Sequence, residues 1–429
     1  MRGRKTGWKW IALILAILMC FPACGTEETP EEQKAEVGFT PRLDPETACT
    51  VKVVGHYNNF EALEQEFNRF SQYYPGVEMV YTFLDDYKNI IFTALNSSEA
   101  PDIYFTYSSW TDEDYADAEN LADPDLGIDM SCIRGSLLYR DAQGNVPTVP
   151  VYTTTYGMLV NESIFEKENL KVPETYEELL SACEALKAAG YAGPVMGYNK
   201  GSDLLFPLFY PYFCAQIRGD EAALKKLNDM EAGAGECVRG ALELVDDFMS
   251  RGYVDLDGCS KLENDYNAVI MRFFEGDVPM MMASANTVSG TEKRESQSEA
   301  FSAAPFRYSF CPVPSTGEGG YFLNSVSIGF AVNKHSANLD MANEFMRFLV
   351  TTEELNLMAQ AKRMVTPCAD MSLDGVYASF GTIDEGRIIN LSELGIADVP
   401  DTQVRKAGWL VSNGKMTVDE AIAAFGTLN

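Results

Sequence analysis

The segment GMLVNESIFEKENLKVPETYEEL, residues 157–179, decides the fold class. It begins as a short apolar strand and continues through an Asn, one helical turn and a Pro into a second helix. Thr175 and Glu178 match a capping box, in which each side chain satisfies an unpaired N–H group at the helix start. The segment therefore predicts a strand that leads directly into two helices, with Tyr156 and Gly157 at its head.

The chain before this segment alternates strand and helix. The strand TVKVVG is followed by an amphipathic helix whose apolar face carries Phe60, Leu63, Phe67 and Phe70. A Pro-Gly pair ends that helix, and residues 77–83 return as a strand. Alternation of this kind predicts a parallel sheet with helical crossovers, so the fold class is α/β.

Two extended passages divide the chain into sets of such units. The first is VPTVPVYTTTYG at 146–157, and the second is FRYSFCPVP at 306–314. A length of 429 residues exceeds one ordinary core, so two lobes are expected. Several extended crossings between α/β lobes predict a hinge and a ligand cleft between the lobes.

The N-terminus predicts export. Residues 1–23 combine a basic start with the apolar run 11–19, as in a signal peptide. FPAC followed by Gly resembles a bacterial lipobox, in which Cys24 would become the lipidated N-terminus; plain secretion is the alternative. Residues 24–47 then form a lipidated polar tether, and the protein is expected to be extracytoplasmic and lipid-anchored to the cell membrane.

The charge excludes a nucleic-acid partner. Residues 1–23 hold four basic and no acidic residues, so the remainder carries 29 basic and 63 acidic residues and a net charge of −34. Binding to phosphates requires basic patches, which such a chain does not favour. Acidity itself indicates solubility and not the identity of a ligand.

The cysteines leave their pairing open. Eight lie downstream of the lipobox, an even number that permits four disulfides in an exported chain. They are Cys49, Cys132, Cys183, Cys214, Cys237, Cys259, Cys311 and Cys368. Their wide spacing contains no CxxC, which makes a zinc site improbable. Cys183 falls on the apolar face of the helix after Thr175 and is expected to be a buried thiol.

Four blocks together resemble the extracellular solute-binding proteins of bacterial ABC importers, in the group that mostly takes sugars. The blocks are the strand–helix–YPGVEM unit at 51–79 with LNSSEAPDIYF at 95–105, the stretch 156–190, FFEGDVPMMM at 273–282, and SIGFAVNKHSANLDMANEFMRFLVTTEE at 327–354. The resemblance covers the chain from about residue 50 to its end.

The resemblance implies a two-lobed, periplasmic-binding-protein-like (type II) fold. The implied lobes are 48–153 plus 286–352, and 154–285 plus 353–429. The ligand would be a carbohydrate, in particular an oligosaccharide, captured by hinge closure and delivered to permease subunits powered by a separate ATPase. The protein would act as a monomer, without cofactor, metal or catalytic residues.

Aromatic and polar residues at loops and strand ends are the candidate ligand contacts, since sugars offer hydroxyls for hydrogen bonds and flat C–H faces for stacking. The candidates are His56, Asn58, Tyr107, Trp110, Tyr156, Asp203, Tyr210, Asn286, Gly320 and Asn324. Strand C-terminal loops are where α/β proteins hold ligands. Asn286 stands where related sugar binders often carry a Trp, so it would contribute no stacking.

Two alternatives stay open: the first changes the ligand, and the second changes the activity. The same fold could bind a cationic solute such as a polyamine, a metal or a thiamine-like compound, with the acidic run at 112–117 as its lining. A secreted glycoside hydrolase is the other. Against it, the sequence has no G-x-S-x-G, no HExxH and no Walker loop, and its histidines are His56 and His335.

Overall fold

The computed structural model describes residues 39–200, 204–371 and 375–428. The predicted signal peptide, Cys24 and most of the tether lie outside the described residues, as does Asp203. The strands are β1 (Cys49–Gly55), β2 (Val77–Phe83), β3 (Ile103–Thr106), β4 (Val149–Asn161), β5 (Val195–Met196), β6 (Met280–Ser284), β7 (Tyr308–Cys311), β8 (Val313–Thr316), β9 (Gly319–Val332) and β10 (Ile388–Asn390).

Helices alternate with strands from β1 to β3, as the sequence predicts. The helices are α1 (Glu61–Phe70), α2 (Tyr87–Leu95), α3 (Glu162–Lys167), α4 (Tyr176–Ala188), α5 (Phe206–Ile217), α6 (Glu221–Asn228), α7 (Arg239–Ser250), α8 (Leu256–Leu262), α9 (Tyr266–Phe273), α10 (Ala285–Ser289), α11 (Thr291–Gln297), α12 (Glu299–Ala303), α13 (Leu339–Leu349), α14 (Thr352–Lys362), α15 (Ala378–Thr382), α16 (Asp398–Ser412) and α17 (Val418–Ala423). Short 3₁₀ turns lie at Gly135–Leu137, Ala234–Val238, Gly375–Tyr377, Glu385–Arg387 and Leu391–Leu394.

The strands form one sheet in the order β2-β1-β3-β9-β4-β6-β5. β1 pairs in parallel with β2 and β3, and β5 pairs in parallel with β6, which confirms the predicted α/β class. β4 and β9 are the two long strands and pair antiparallel with each other. At its start, β4 pairs with the part of β9 that pairs on its other side with β3. At its end, β4 pairs with β6 and β7. β4 therefore runs through both halves of the sheet, beside β9.

The opening segment folds as predicted. Asn161 accepts a hydrogen bond from the Ile164 N–H group (3.1 Å) and so caps α3. Thr175 and Glu178 form the capping box at the start of α4. Cys183 is a buried thiol in that helix, also as predicted.

Close packing around β4 explains why position 157 is a glycine. Its position on β4 leaves no room for a side chain, because a Cβ atom there would lie 2.7 Å from the Cys311 carbonyl oxygen and from the rings of Phe310 and Phe322. Real Cβ atoms essentially never approach that closely, so the surrounding strands would have to shift. Gly157 is thus the point at which β7 and β9 close over β4.

Substituting Gly157 with alanine is therefore expected to destabilise the protein by about 1–3 kcal/mol, the usual effect of overpacking a core. Urea unfolding measures the change. Gly135→Ala is the matched control, because nothing lies within 4 Å of a Cβ at that position. Equal stability of the two variants would contradict the packing argument.

Two contacts between helices bear on the position of the boundaries between the two predicted lobes. α14 packs on α1, where Arg69 Nε donates to Glu354 Oε2 (2.8 Å). α11 packs against α9, where the Arg294 side chain donates to Asn267. The lobe boundaries given by the sequence stay a prediction.

A search of the described residues for membrane-spanning segments finds no helix with the length and the hydropathy that crossing a bilayer requires.

Candidate functional site

A cavity of about 260 Å³ lies between residues that follow β3 and residues of α5 and α16. Its lining residues are Thr106, Tyr107, Ser108, Tyr115, Ser136, Leu137, Leu138, Tyr139, Thr148, Pro150, Tyr210, Ser325, Val326, Leu391, Ser392, Ile396, Asp398, Asp401 and Arg405. Both halves of the sheet thus contribute, and β9 supplies the floor through Ser325 and Val326. We call this cavity the cleft.

One wall of the cleft is built on α16. Asp401 and Arg405 are four residues apart and so share one face of the helix. Arg405 Nε donates to Asp401 Oδ2 (2.7 Å), and the Tyr210 hydroxyl donates to the other carboxylate oxygen. The central carbon of the guanidinium lies 4.0 Å from the centroid of the Phe206 ring and 5.4 Å from that of the Tyr210 ring. These contacts fix the cation in place before any ligand arrives.

The local sequence explains how α16 reaches this position. Gly408 lies one turn after Arg405, and a Cβ atom there would approach the Phe209 ring to 2.3 Å. The glycine therefore allows α16 to pack closely against α5, which carries Phe206, Phe209 and Tyr210. This close contact brings Asp401 within reach of Tyr210.

The opposite wall is aromatic. The Tyr107 hydroxyl shares a hydrogen bond with His56 Nδ1 (2.8 Å), and the Lys88 ammonium lies 4.4 Å from the Tyr107 ring centroid. The rings of Tyr115 and Tyr139 contact each other at 5.0 Å. All three tyrosines line the cleft, and their hydroxyl groups bond His56, the Tyr107 carbonyl and Asp112.

His56, Tyr107 and Tyr139 on the aromatic wall are neutral near pH 7. Burial, followed by the nearby Lys88 charge, lowers the pKa of His56 below its ordinary value. Burial raises the pKa of Tyr107 and of Tyr139 to about 12. On the other wall, burial lowers the pKa of Arg405, but Asp401 and the neighbouring tyrosines outweigh it and raise the pKa overall. The guanidinium therefore stays charged and paired.

A chain of buried side chains supports the cleft from behind. Thr155 donates to Asn324 Oδ1 (2.8 Å), and Asn324 Nδ2 donates to Asn390 Oδ1 (3.0 Å). Asn390 Nδ2 in turn donates to the Ser136 hydroxyl (2.9 Å), and Ser136 lines the cleft. These bonds link β4, β9 and β10 to the loop that carries Ser136.

The structure brings some of the predicted ligand contacts together. Tyr107 and Tyr210 both line the cleft, and His56 bonds the Tyr107 hydroxyl. Trp110 is half-buried, with its ring 6.0 Å from that of Tyr107. Tyr156 packs edge-to-face on Phe206 at 5.1 Å, directly behind Arg405.

The other candidates lie elsewhere. Asn58 is exposed on the loop after β1, and Asn286 is exposed on α10. Gly320 is buried and pairs with Pro314 of β8. Asn324 is fully buried in the supporting chain of side chains, with both ends of its amide bonded to protein. A direct ligand contact for each of these residues stays a prediction.

Sequence analysis missed Asp401 and Arg405, which the structure places in the cleft wall. They lie in α16, and Asp401 is 191 residues after Tyr210 along the chain. A pair of opposite charges four residues apart on a helix was a readable signal. Nothing local in the sequence, however, indicates that this pair faces Tyr210.

Removing the Tyr107 ring is expected to weaken ligand binding by roughly 2- to 13-fold, because the site would lose an aromatic face worth about 0.5–1.5 kcal/mol. Tyr107→Ala and Tyr107→Phe separate the ring from its hydroxyl. Calorimetric titration with the ligand should show a clearly smaller loss for the phenylalanine variant. A larger loss for Tyr107→Phe than for Tyr107→Ala would mean that the hydroxyl, not the ring, is what the ligand uses.

Comparison with known sequences finds matches among proteins that bind solutes outside the cell. The profile of bacterial extracellular solute-binding proteins matches residues 55–355. The melibiose/raffinose/stachyose-binding protein MelE of Bacillus subtilis strain 168 is 18% identical over 385 residues, 86% of this chain and 83% of MelE.

Solved structures with the same fold include sugar-binding proteins. Apo RafE from Streptococcus pneumoniae matches with a TM-score of 0.71 at 16% identity, over 90% of this chain and 99% of RafE. The GacH receptor of Streptomyces glaucescens, solved unliganded and with acarbose, matches with a TM-score of 0.63 at 18% identity, over 89% of this chain and 97% of GacH. At these identities the likeness establishes the fold, which is the two-lobed fold of solute-binding proteins.

Proposed function

The chain belongs to the family of bacterial extracellular solute-binding proteins, and from this premise we propose that it captures a carbohydrate in the cleft and delivers it to an ABC permease. The observation that carries the proposal is the composition of the cleft walls. Serine, threonine and tyrosine side chains line a cavity to which both halves of the sheet contribute, together with the Asp401–Arg405 ion pair and the exposed Asp398.

This composition suits a neutral polyhydroxyl ligand. Sugar hydroxyls both donate and accept hydrogen bonds, and the cleft offers them two carboxylates, a guanidinium and several serine and threonine hydroxyls. Bonds to charged partners are the stronger ones, so Asp401 and Arg405 would contribute most. MelE is named for melibiose, raffinose and stachyose, and RafE has been solved with raffinose, which supports an oligosaccharide as the ligand class.

A cationic ligand fits this cleft less well. A cation would need carboxylates whose charge is not already matched; of the two that line the cleft, Asp401 is paired with Arg405, which leaves the exposed Asp398 to hold a cation. In the acidic run at 112–117, Asp112 bonds the Tyr139 hydroxyl and Asp114 bonds Thr111. Among the described residues, no cluster of three or more His, Cys, Asp or Glu side chains could hold a metal ion.

Capture would proceed by hinge closure. β4 and β9 run side by side through the junction of the two halves, so small changes in their backbone angles could rotate one half against the other. A ligand that contacts Tyr107 on one wall and Arg405 on the other stabilises the closed arrangement. Binding therefore shifts the population toward the closed state, which the permease would recognise.

We further propose that the protein acts outside the cytoplasm as a monomer, anchored by lipid on Cys24. Residues 24–47 would be the tether that lets the lobes reach the permease. The proposed lobes start from 48–153 plus 286–352 and 154–285 plus 353–429. We place α14 with the first lobe, because it packs on α1, and α11 with the second, because it packs on α9.

Thermal unfolding in the presence of candidate ligands tests the carbohydrate proposal. The full-length protein is heated with mono- and oligosaccharides, and with polyamines and divalent metals for comparison. A ligand at 100 times its Kd should stabilise the protein by about 2.7 kcal/mol, which raises Tm visibly. Stabilisation by one sugar class supports the proposal, whereas stabilisation by cations alone overturns it.

The same samples test for catalysis. After prolonged incubation, the bound oligosaccharide should be recovered intact by chromatography if the protein is a carrier. Shortened products that persist in repeatedly purified protein would indicate a glycoside hydrolase instead.

A further inference from the structure

Two cysteines from distant parts of the chain meet beside the junction of the halves. Cys132 lies in the long connection between β3 and β4, and Cys368 lies in the segment that follows α14. The two segments form an antiparallel bridge between Ile133 and Cys368, which places Cys132 beside Cys368 on the neighbouring segment, and the two thiols interact. In this structure all eight downstream cysteines carry free thiols.

Backbone hydrogen bonds hold the two segments together on both sides of this contact. The Ala369 N–H group donates to the Cys132 carbonyl (2.9 Å), and the Arg134 N–H group donates to the Pro367 carbonyl (3.1 Å). The buried Arg134 guanidinium adds a bond to the Cys368 carbonyl (2.6 Å). The fold therefore holds the two cysteines on adjacent segments, and their proximity does not depend on the two side chains alone.

The two thiols differ in their exposure and in the direction in which their pKa values are shifted. Cys132 is partly exposed, whereas Cys368 is fully buried. The hydrogen bond from Cys368 lowers the pKa of Cys132, although burial acts in the opposite direction. The same bond, together with burial, raises the pKa of Cys368. Cys132 is thus the thiol that is both reachable and more readily ionised.

Other cysteines lack these features. Cys183, Cys214 and Cys259 lie in helices of the second half of the molecule and are buried. Burial raises the pKa of Cys183 to about 12 and that of Cys259 to about 11, which makes both thiols unreactive. They have the character of ordinary core residues.

We propose that Cys132 and Cys368 form a disulfide when the exported protein meets a thiol–disulfide oxidant. Such bonds form and persist in extracytoplasmic compartments, where this family acts. The bond would join the loop before β4 to the segment after α14.

The chemistry balances with any disulfide donor. The Cys132 thiolate attacks one sulfur of the donor, forms a mixed disulfide and releases one donor thiolate. Cys368 then attacks the Cys132 sulfur, releases the second donor sulfur as a thiolate and passes its own proton to a released thiolate. Two protein thiols are oxidised by two electrons, and the donor disulfide is reduced to two thiols.

The bond would reinforce a crossing of the chain. The segment that carries Cys368 passes over β4, where the Thr153 N–H and hydroxyl groups both donate to the Val365 carbonyl (3.0 and 3.1 Å). A disulfide three residues farther on would close a loop from residue 132 to residue 368. Closing a loop of that length restricts the unfolded chain, so oxidation should raise Tm.

Peptide mapping tests the proposal on the full-length chain, produced in a host that exports it. The protein is equilibrated in the folded state with oxidised glutathione, alkylated, digested without reductant and analysed by mass spectrometry. We expect one linked pair of peptides that contains Cys132 and Cys368, lighter than their sum by two hydrogen atoms. Recovery of both cysteines in alkylated form, or of Cys132 linked to another cysteine, would overturn the proposal.

Variants give a second measurement. Dithiothreitol should lower Tm by several degrees in the oxidised wild type and in the Cys237→Ser control, whose thiol makes one long contact to a backbone carbonyl (3.9 Å). It should leave Tm unchanged in Cys132→Ser. An equal fall in Cys132→Ser would assign the effect to another bond and contradict the proposal. The peptide map of the wild type needs no variant, so it decides the matter even if a substituted chain folds poorly.

Discussion

Replacing Arg405 with alanine is expected to weaken carbohydrate binding by roughly 10- to 100-fold, since a hydrogen bond to a charged group is worth about 1.5–3 kcal/mol. The substitution removes the guanidinium held over Phe206 and leaves Asp401 with the Tyr210 hydroxyl as its remaining partner. An unpaired carboxylate in a half-buried wall also costs free energy when a ligand covers it. Calorimetric titration with the sugar that stabilises the protein measures the loss.

Two further variants make the result specific. Arg405→Lys keeps the charge but not the flat, forked donor that stacks on Phe206, so it should recover little of the affinity. Arg251→Ala is the matched control, because Arg251 also bonds an aspartate four residues away on a helix, Asp247, and does not line the cleft. Normal binding by Arg405→Ala would remove α16 from the ligand site.

Much of the fold could be predicted because its signals are local. The helix after the first strand follows from apolar residues at a spacing of three and four, and Phe60, Leu63, Phe67 and Phe70 are indeed all buried. The capping box at Thr175 fixes the start of α4 from four residues alone. Such features need no information from distant parts of the chain.

The site depended on contacts that local patterns do not contain. Tyr107 and Tyr210 were found because aromatic residues near strand and loop ends are conspicuous. Asn324 is a polar residue close to a predicted loop and was chosen for a similar reason, yet its side-chain amide forms hydrogen bonds with Thr155 and Asn390 inside the protein. The sequence cannot distinguish a polar residue that faces a ligand from one that supports the wall behind it.

The borders between the lobes, which stay a prediction, depend on contacts of the same kind. The sequence-based division places residues 353–429, and with them most of α14, in the second lobe, whereas α14 packs on α1. Its contacts with α1 depend on a buried cluster of charged side chains, in which Glu66 of one helix meets Arg69 and Glu354. Partners almost 300 positions apart leave no pattern in a single sequence.

This cluster makes stability depend on pH. Glu66 is fully buried, and no donor reaches its Oε2 atom. Burial first, and then a hydrogen bond and the charge of Glu354, raise the pKa of Glu66 well above its ordinary value, although Arg69 acts in the opposite direction. A protonated Glu66 can share its proton with Glu354, whereas two charged carboxylates would repel each other. Tyr152, also buried nearby, is kept neutral because burial raises its pKa.

The stability of the protein is therefore expected to fall as the pH rises. A carboxyl group whose pKa is higher in the folded state than in the unfolded state stabilises the fold fully below its unfolded pKa. That contribution is lost as the pH rises toward its folded pKa, and a single pKa unit corresponds to about 1.4 kcal/mol. Urea unfolding of the wild type from about pH 5 to about pH 9 should show at least this loss.

Glu66→Gln should remove most of this dependence, because a glutamine is permanently neutral and its amide can donate to Glu354. The variant is expected to match the wild type at about pH 5 and to be more stable at about pH 9. Glu353→Gln removes an exposed carboxyl group one position before Glu354 and should leave the slope as it is. Parallel stability curves for the wild type and Glu66→Gln would show that Glu66 is ionised in the folded state. The contact between α1 and α14 would then rest on a charged pair and not on a shared proton.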